Sequence, residues 1–278
     1  MRPPTRLLQL ALKVTTALAA LAIGLSILLP IVWMALASVR PERDLTMSPP
    51  SLLPRSFTVT HYVDVWSRIP FAHLYWNTIV FAGLVTVCSL VFDSMTAYAL
   101  ARLRFKGAGI VAGVIIAGLT IPFQVTLVPL YDLMNNLGLV NTTAGLVLPR
   151  LTNAFGIFFL RQFFLSLPRD IDEAARIDGA SEWRIYARVI LPLARPALLT
   201  LALFHFQFNW NDLLWPLIMT QGADHATLPA GLATFTGQHS VEYGLLMTGS
   251  VLAIAPIVLM FLLVQRSFVQ GIATTGNK

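Results

Sequence analysis

The chain has 278 residues, 56% hydrophobic and 12% charged, with a formal net charge of +6. That excludes a soluble globular protein of this length, which needs more charge to cover its surface. A lone cysteine, Cys88, excludes a disulfide framework and a cysteine-based metal site, and no polar segment carries the basic run with interleaved aromatics of a nucleic-acid binder.

Six long apolar runs follow one another. Val14–Ser38 has no charged residue. Ala35-Leu36-Ala37 near its end resembles a signal-peptidase site, but the run exceeds a usual signal core and is read as an uncleaved first helix. The loop Arg40–Arg68 is rich in Pro and Ser, with Pro49-Pro50 and Pro54 as breakers, and Phe57–Trp66 forms a short amphipathic segment at the outer surface. Tyr75–Ala101 carries only Asp93, and Arg102–Lys106 is a tight basic turn. Gly107–Tyr131 is uncharged and contains Gln124 between Pro122 and Pro129, prolines that bend a helix and open its backbone to a cavity. Asp132–Asn141 is a short polar loop, and Thr142–Leu160 carries only Arg150. After the long polar connection Arg161–Arg195, Pro196–Thr220 carries His205 and Asp212; beyond Gln221–Glu242, Tyr243–Gln265 is uncharged.

Each run reaches or exceeds the roughly 20 residues that cross a bilayer. The expectation is an all-α polytopic membrane protein with six transmembrane helices. Of 19 Lys and Arg, 14 fall on one side of this topology; Arg40, Arg43, Arg55 and Arg68 fall on the other, and Arg150 lies within a span. The positive-inside rule puts both termini, and the connection 161–195, in the cytoplasm.

Residues 165–195 are too polar to span and too regular to be slack. Pro168 suits a first helical turn; Asp170, Asp172 and Glu173 favour the positive end of its dipole, and Asp172 and Arg176 are spaced as an i,i+4 pair. Ile171, Ala174, Ala175 and Asp178 share one face, smooth enough for close approach. Gly179 fits a left-handed helix end, and Ser181 caps a second helix that presents Trp183, Tyr186 and Ile190 before Pro192 breaks it. The predicted product is a helix–turn–helix at the membrane surface, with small residues and acids outward. From periodicity alone it is either that or a connector packed on headgroups.

Polar groups within spans need partners or a wet cavity. Arg150 either meets an anionic or hydroxyl-rich solute, or is neutralised by an acid of this or another subunit, or reaches the outer interface. Asp93 reads as a structural partner. His205, Asn209 and Asp212 stand at i, i+4 and i+7 on one face of the fifth helix, with Gln207 and Asn211 beside them. They either line a solute pathway, as does Gln124, or bond helix to helix.

The wording of the polar connection adds to this. Glu173-Ala174-Ala175-Arg176-Ile177-Asp178-Gly179-Ala180-Ser181, followed by Val189-Ile190-Leu191-Pro192, resembles the "EAA" loop of permease subunits of bacterial ABC importers, in particular the carbohydrate-uptake branch and its maltose-type second permease subunit. Ala97–Arg102 with Phe105, Phe159–Phe164, Trp210-Asn211-Asp212, and Gln265-Arg266 with Phe268–Gly271 agree, so the resemblance covers roughly residues 14–273. It implies a type I importer permease fold whose loop is the coupling helix, docked on a separate ATPase. Glu173 would be a polar contact, Ala174 and Ala175 the close-packed face and Gly179 the turn, with Asp178, Leu191 and Pro192 completing the motif. Expected domains are an N-terminal helix and loop (1–72), the type-1 transmembrane domain (73–266) with coupling loop 165–195, and a cytoplasmic tail (267–278).

No Gly-x-x-x-x-Gly-Lys-[Ser/Thr] occurs, so ATP and Mg are expected in a partner chain and no cofactor in this one. The resemblance implies a sister permease, a dimer of ATPase subunits, an extracytoplasmic solute-binding protein and residence in the bacterial inner membrane. In heterodimeric relatives the sister subunit can supply most solute contacts. The alternatives are a proton-coupled secondary transporter, which would show an inverted repeat, and a membrane enzyme, for which the five histidines are too scattered. A carbohydrate or polyol is the expected solute, with a glycerol phosphate or phosphodiester as the other possibility.

Overall fold

A computed structural model describes residues 6–47, 54–237 and 241–275, with backbone alone for 6–9, 11 and 266–275. The Pro49-Pro50 breaker, His239 and the side chains of Arg266 and Phe268–Gly271 lie outside the described residues. In chain order the helices are α1 (Arg6–Ser38), α2 (Glu42–Leu45), α3 (Thr60–Arg68), α4 (Phe71–Arg102), α5 (Ala108–Gly118), α6 (Phe123–Asn136) and α7 (Thr143–Val147). There follow α8 (Ala154–Ser166), α9 (Asp170–Ile177), α10 (Glu182–Ile185), α11 (Leu191–Leu193), α12 (Arg195–Trp210), α13 (Leu214–Met219), α14 (Leu228–Ala233) and α15 (Tyr243–Thr275). A 3-10 turn, Leu148–Arg150, extends α7, and a π-helical segment, Tyr186–Ile190, joins α10 to α11.

Among the described residues, three helices are long and apolar enough to cross a membrane: α1, α4 and α15. Counting each bent pair as one span raises this to as many as six. Three of the expected runs are broken, at proline or at a cap, the one through Pro122 where a bend was expected. Between α5 and α6 the axis turns by 101°. Pro122 has no N–H for the Gly118 carbonyl and its ring collides with that oxygen, so α5 stops at Gly118 and Pro122 becomes the residue before α6. The helix through Arg150 bends by 43° at residues 151–153, where Asn153 Oδ1 accepts from Phe155 N and starts α8 afresh.

The fifth span also differs from its prediction. α12 ends at Trp210, because Pro216 cannot bond the Asp212 carbonyl, and α13 begins only at Leu214. Asp212 therefore lies in the break, not one turn further along the face of His205 and Asn209. The bent pair here joins 182–193 to α12, at 78°. Pro192 does not end its helix either. It sits within α11, and the ladder shifts to π spacing just ahead of it, where Pro192 offers no N–H to the Arg188 carbonyl.

The chain divides into two compact units. One holds Met1–Ile69 with Leu232–Ile254. In it the Glu42 carboxylate accepts from Tyr243 N (2.9 Å) and Gly244 N (2.8 Å), capping α15, and Ser38 Oγ meets Tyr62 Oη at 2.9 Å. The other holds Pro70–Gly231 with Ala255–Lys278. There α8 and α12 both pack along α4. Ala97, Leu160, Phe164, Ile185, Ile190 and Leu201 form its larger buried cluster, and Phe81, Val85, Trp215 and Met219 a second. α15 continues to Thr275, so most of the expected tail is helical.

Candidate functional site: a polar cavity and a charged elbow

The breaks free backbone groups that no helix can satisfy, and α4 supplies partners for them. Ser89 Oγ donates to the Arg150 carbonyl (2.9 Å). Asp93, fully buried, accepts from Thr152 Oγ1 (2.7 Å) and Asn153 N (2.9 Å), and its other oxygen meets His205 Nε2 at 3.2 Å. Gly156 makes this fit possible: a Cβ there would lie 2.0 Å from Asp93 Oδ2 and 2.9 Å from His205 Nε2. Asp93 is thus the structural partner its sequence context suggests.

Held in this way, the end of the Leu148–Arg150 turn faces the C-terminus of α12 across a cavity of about 940 Å³. Arg150 Nη2 meets Asp212 Oδ2 at 2.6 Å, and Nη1 donates to Asn209 Oδ1 (3.3 Å), whose amide donates to the His205 carbonyl (2.8 Å). The guanidinium lies 4.8 Å from the ring centre of Phe123 and 5.7 Å from that of Phe208. Arg150 Nε is buried without a hydrogen bond, and Asp212 Oδ2 has the 2.6 Å charge pair as its partner. The structure brings Arg150, His205, Gln207, Asn209, Asn211 and Asp212 to the cavity wall and leaves Gln124, exposed near the start of α6, off it. Sequence reasoning missed Asn153 and the rings of Phe155, Phe204 and Phe208. The i,i+4 spacing of Phe204 and Phe208 beside the amides was the available signal.

The second assembly is the elbow from α9 to α11. α9 ends in a Schellman motif: Ala180 N bonds the Ala175 carbonyl (3.0 Å), Gly179 N bonds that of Arg176 (3.0 Å), and Gly179 has φ +77°. Asp172 does not pair with Arg176. It is buried, 3.0 Å from Arg102 Nη1, while Arg176 reaches across the turn to Glu182 at 2.7 and 3.3 Å. Tyr98 Oη donates to the same carboxylate (2.9 Å). The predicted outward face splits accordingly: Asp172 and Ala175 turn inward, whereas Glu173, Ala174, Asp178 and Gly179 are exposed. Trp183 is exposed but Tyr186 and Ile190 are buried, and Ile177, at 86%, is the most exposed apolar residue of the elbow. Leu191 is half-buried and Pro192 exposed. Pro168 precedes α9 and stands outside its first turn.

Broken apolar helices around a polar cavity, with a charged elbow at the side the Lys and Arg mark as cytoplasmic, define a multi-pass membrane transport subunit. Residues 94–274 match the family described as binding-protein-dependent transport system inner membrane component. An arabinooligosaccharides transport system permease protein of Halalkalibacterium halodurans is 37% identical over 255 residues, covering 90% of each chain. A diacetylchitobiose uptake system permease protein of Streptomyces coelicolor is 33% identical, over 86% of this chain and 80% of the relative. The crystal structure of a bacterial ABC transporter involved in import of the acidic polysaccharide alginate shares the fold, with a TM-score of 0.81 at 24% identity over 96% of this chain and 100% of that one. The chain belongs to the binding-protein-dependent inner membrane permease family. It is a permease subunit of an ABC importer and has the type I importer permease fold.

Proposed function

We propose that this permease imports a neutral, hydroxyl-rich solute, a saccharide or polyol, and that Arg150, Asn209 and Asp212 form its contact in the cavity, with His205, Gln207 and Asn211 around them. The observation that carries this reading is the charge-matched Arg150–Asp212 pair in the cavity wall, with Arg150 Nε buried and unbonded. Arg150 is the one Lys or Arg among the described residues lining the cavity, and its charge is already matched. An anion would have to displace Asp212 and leave a buried carboxylate unpaired, at a cost of several kcal/mol. A solute hydroxyl can accept from Arg150 Nε and donate to Asp212 Oδ2 with the pair intact. The phenyl rings of Phe123, Phe155, Phe204 and Phe208 add apolar faces of the kind ligand pockets use. The solutes named for the two relatives, arabinooligosaccharides and diacetylchitobiose, agree with this.

In this reading a sister permease completes the pathway, and an extracytoplasmic binding protein delivers the solute. ATP and Mg are bound by a dimer of ATPase subunits, with no cofactor held by this chain. Loop 165–195 docks on the ATPase through Glu173, Ala174, Asp178 and Gly179, backed by Ala175, Leu191 and Pro192. The elbow's exposed Ile177 and Trp183 support a protein-covered surface. The test is a screen of solutes for stimulation of ATP hydrolysis by the assembled, reconstituted importer. Neutral oligosaccharides or polyols are expected to stimulate; stimulation by glycerol 3-phosphate, phosphodiesters or uronates alone would refute the reading.

A further inference from the structure

The elbow is joined to α4 by polar links from Arg102, Tyr98 and Ser94, and Arg102 makes the buried ion pair among them. Arg102 is the last residue of α4, and its guanidinium is 2% exposed. Nη1 donates to Asp172 Oδ2 of α9 at 3.0 Å, and Nη2 donates to the carbonyls of Phe164 (2.6 Å) and Leu167 (2.9 Å) at the end of α8. They lie at the last turn and cap of α8, where the Phe164 carbonyl otherwise accepts only the long cap bond from Leu167 N (3.3 Å). One planar fork therefore gathers the C-termini of α4 and α8 and the first turn of α9. The other links from the elbow into α4 are weaker: Glu182, which bonds Tyr98, has a side chain 46% exposed, and the buried Ser94–Tyr186 hydroxyl pair (2.8 Å) carries no charge. Arg102 Nε and Asp172 Oδ1 are buried without partners, so the pair is held by a single bond.

We propose that Arg102 is a positioning residue for ATP-driven transport, a strut that carries displacement of α9 into α4 and α8. The inference rests on the reading of 165–195 as the ATPase-docking loop. α4 and α8 are the helices whose Ser89, Asp93 and Asn153 hold the Arg150 break, so a push on the strut reaches the cavity through continuous helix. A fork is needed because a single ammonium cannot hold acceptors on two helices in one plane.

The experiment uses the complete importer reconstituted in liposomes with Arg102→Gln/Asp172→Asn, Arg102→Lys and Gly179→Asp, reading solute moved per ATP hydrolysed and co-purification of the ATPase. The double variant removes both charges and leaves no buried ion unpaired, so a merely structural pair would be rescued by it. We expect it to retain the ATPase and basal hydrolysis within about twofold while solute moved per ATP falls at least tenfold. Arg102→Lys, which keeps the charge and the pairing with Asp172, should assemble and fall between the two. Wild-type stoichiometry in either variant overturns the strut, as does loss of the ATPase from the double variant with full stoichiometry in Arg102→Lys. Gly179→Asp separates the two levels: if it alone is defective, the strut is wrong and the docking loop stands; if all three are normal, the docking loop is wrong as well.

Discussion

The junction of Asp93, His205 and Gly156 allows the sharpest test of how α4, α8 and α12 are held. In Gly156→Ala the new methyl would lie 2.0 Å from Asp93 Oδ2 and 2.9 Å from both Asp93 Cγ and His205 Nε2. Ordinary contact begins near 3.4 Å, so the carboxylate must retreat by more than an ångström. At least two of its bonds, at 2.7, 2.9 and 3.2 Å, cannot survive that movement. Overpacking of this kind costs about 2 kcal/mol. Interhelical hydrogen bonds in membrane proteins contribute about 0.6 kcal/mol each, so two add roughly 1 kcal/mol. Alanine's better helix propensity returns about 0.5–1 kcal/mol. The net loss is about 2 kcal/mol, close to thirtyfold in the unfolding equilibrium. Gly113→Ala on α5, where a Cβ meets nothing within 4 Å, carries the propensity gain without the clash and serves as the control. The measurement is SDS-induced unfolding of the purified chain in detergent, followed by tryptophan fluorescence. Gly156→Ala unfolding at the same SDS fraction as Gly113→Ala would refute the reasoning.

Three further outcomes are expected. Arg150→Met strands Asp212 in the cavity wall and should cost about 3–5 kcal/mol, whereas Arg150→Met/Asp212→Leu recovers most of that in the same assay without recovering transport; recovery of transport would remove the pair from the solute contact. Gly179→Val must hold a β-branched residue at φ +77°, about 1–2 kcal/mol of local strain, and should abolish solute-stimulated ATP hydrolysis while the protein still inserts; normal stimulation in the purified complex contradicts the docking role. Arg176→Ala should change stability by less than about 1 kcal/mol, because the Arg176 and Glu182 side chains are 40% and 46% exposed and salt screens them. A loss above 2 kcal/mol, measured at low and high salt, would mean that the clasp is buried by a partner.

Much of the outline was legible in the chain. Existence of the spans follows from run length, since a helix satisfies its backbone internally and hydrocarbon admits little else. Orientation follows from Lys and Arg alone. Gly179 was legible because the residue following a helix takes positive φ, where a side chain is strained, and the chain supplies glycine there. The proline breaks were visible as bends, but nothing local gave a 101° turn in place of a kink, or placed Asp212 in a break.

Which charges meet was a matter for the tertiary structure. Asp172 has Arg176 one turn away and pairs instead with Arg102, 70 residues earlier; Asp93 meets His205 across 112 residues. An i,i+4 pair on an exposed face gains a few tenths of a kcal/mol, and an ion drawn inward by packing must find a partner wherever the fold provides one. Sequence spacing ranks local pairs; burial decides among them, and burial comes only with α4, α8 and α12 side by side. Composition and wording thus determined a membrane permease with a charged elbow, while the packed helices alone determined that Arg102 anchors that elbow and that the charge of Arg150 is already matched within the cavity.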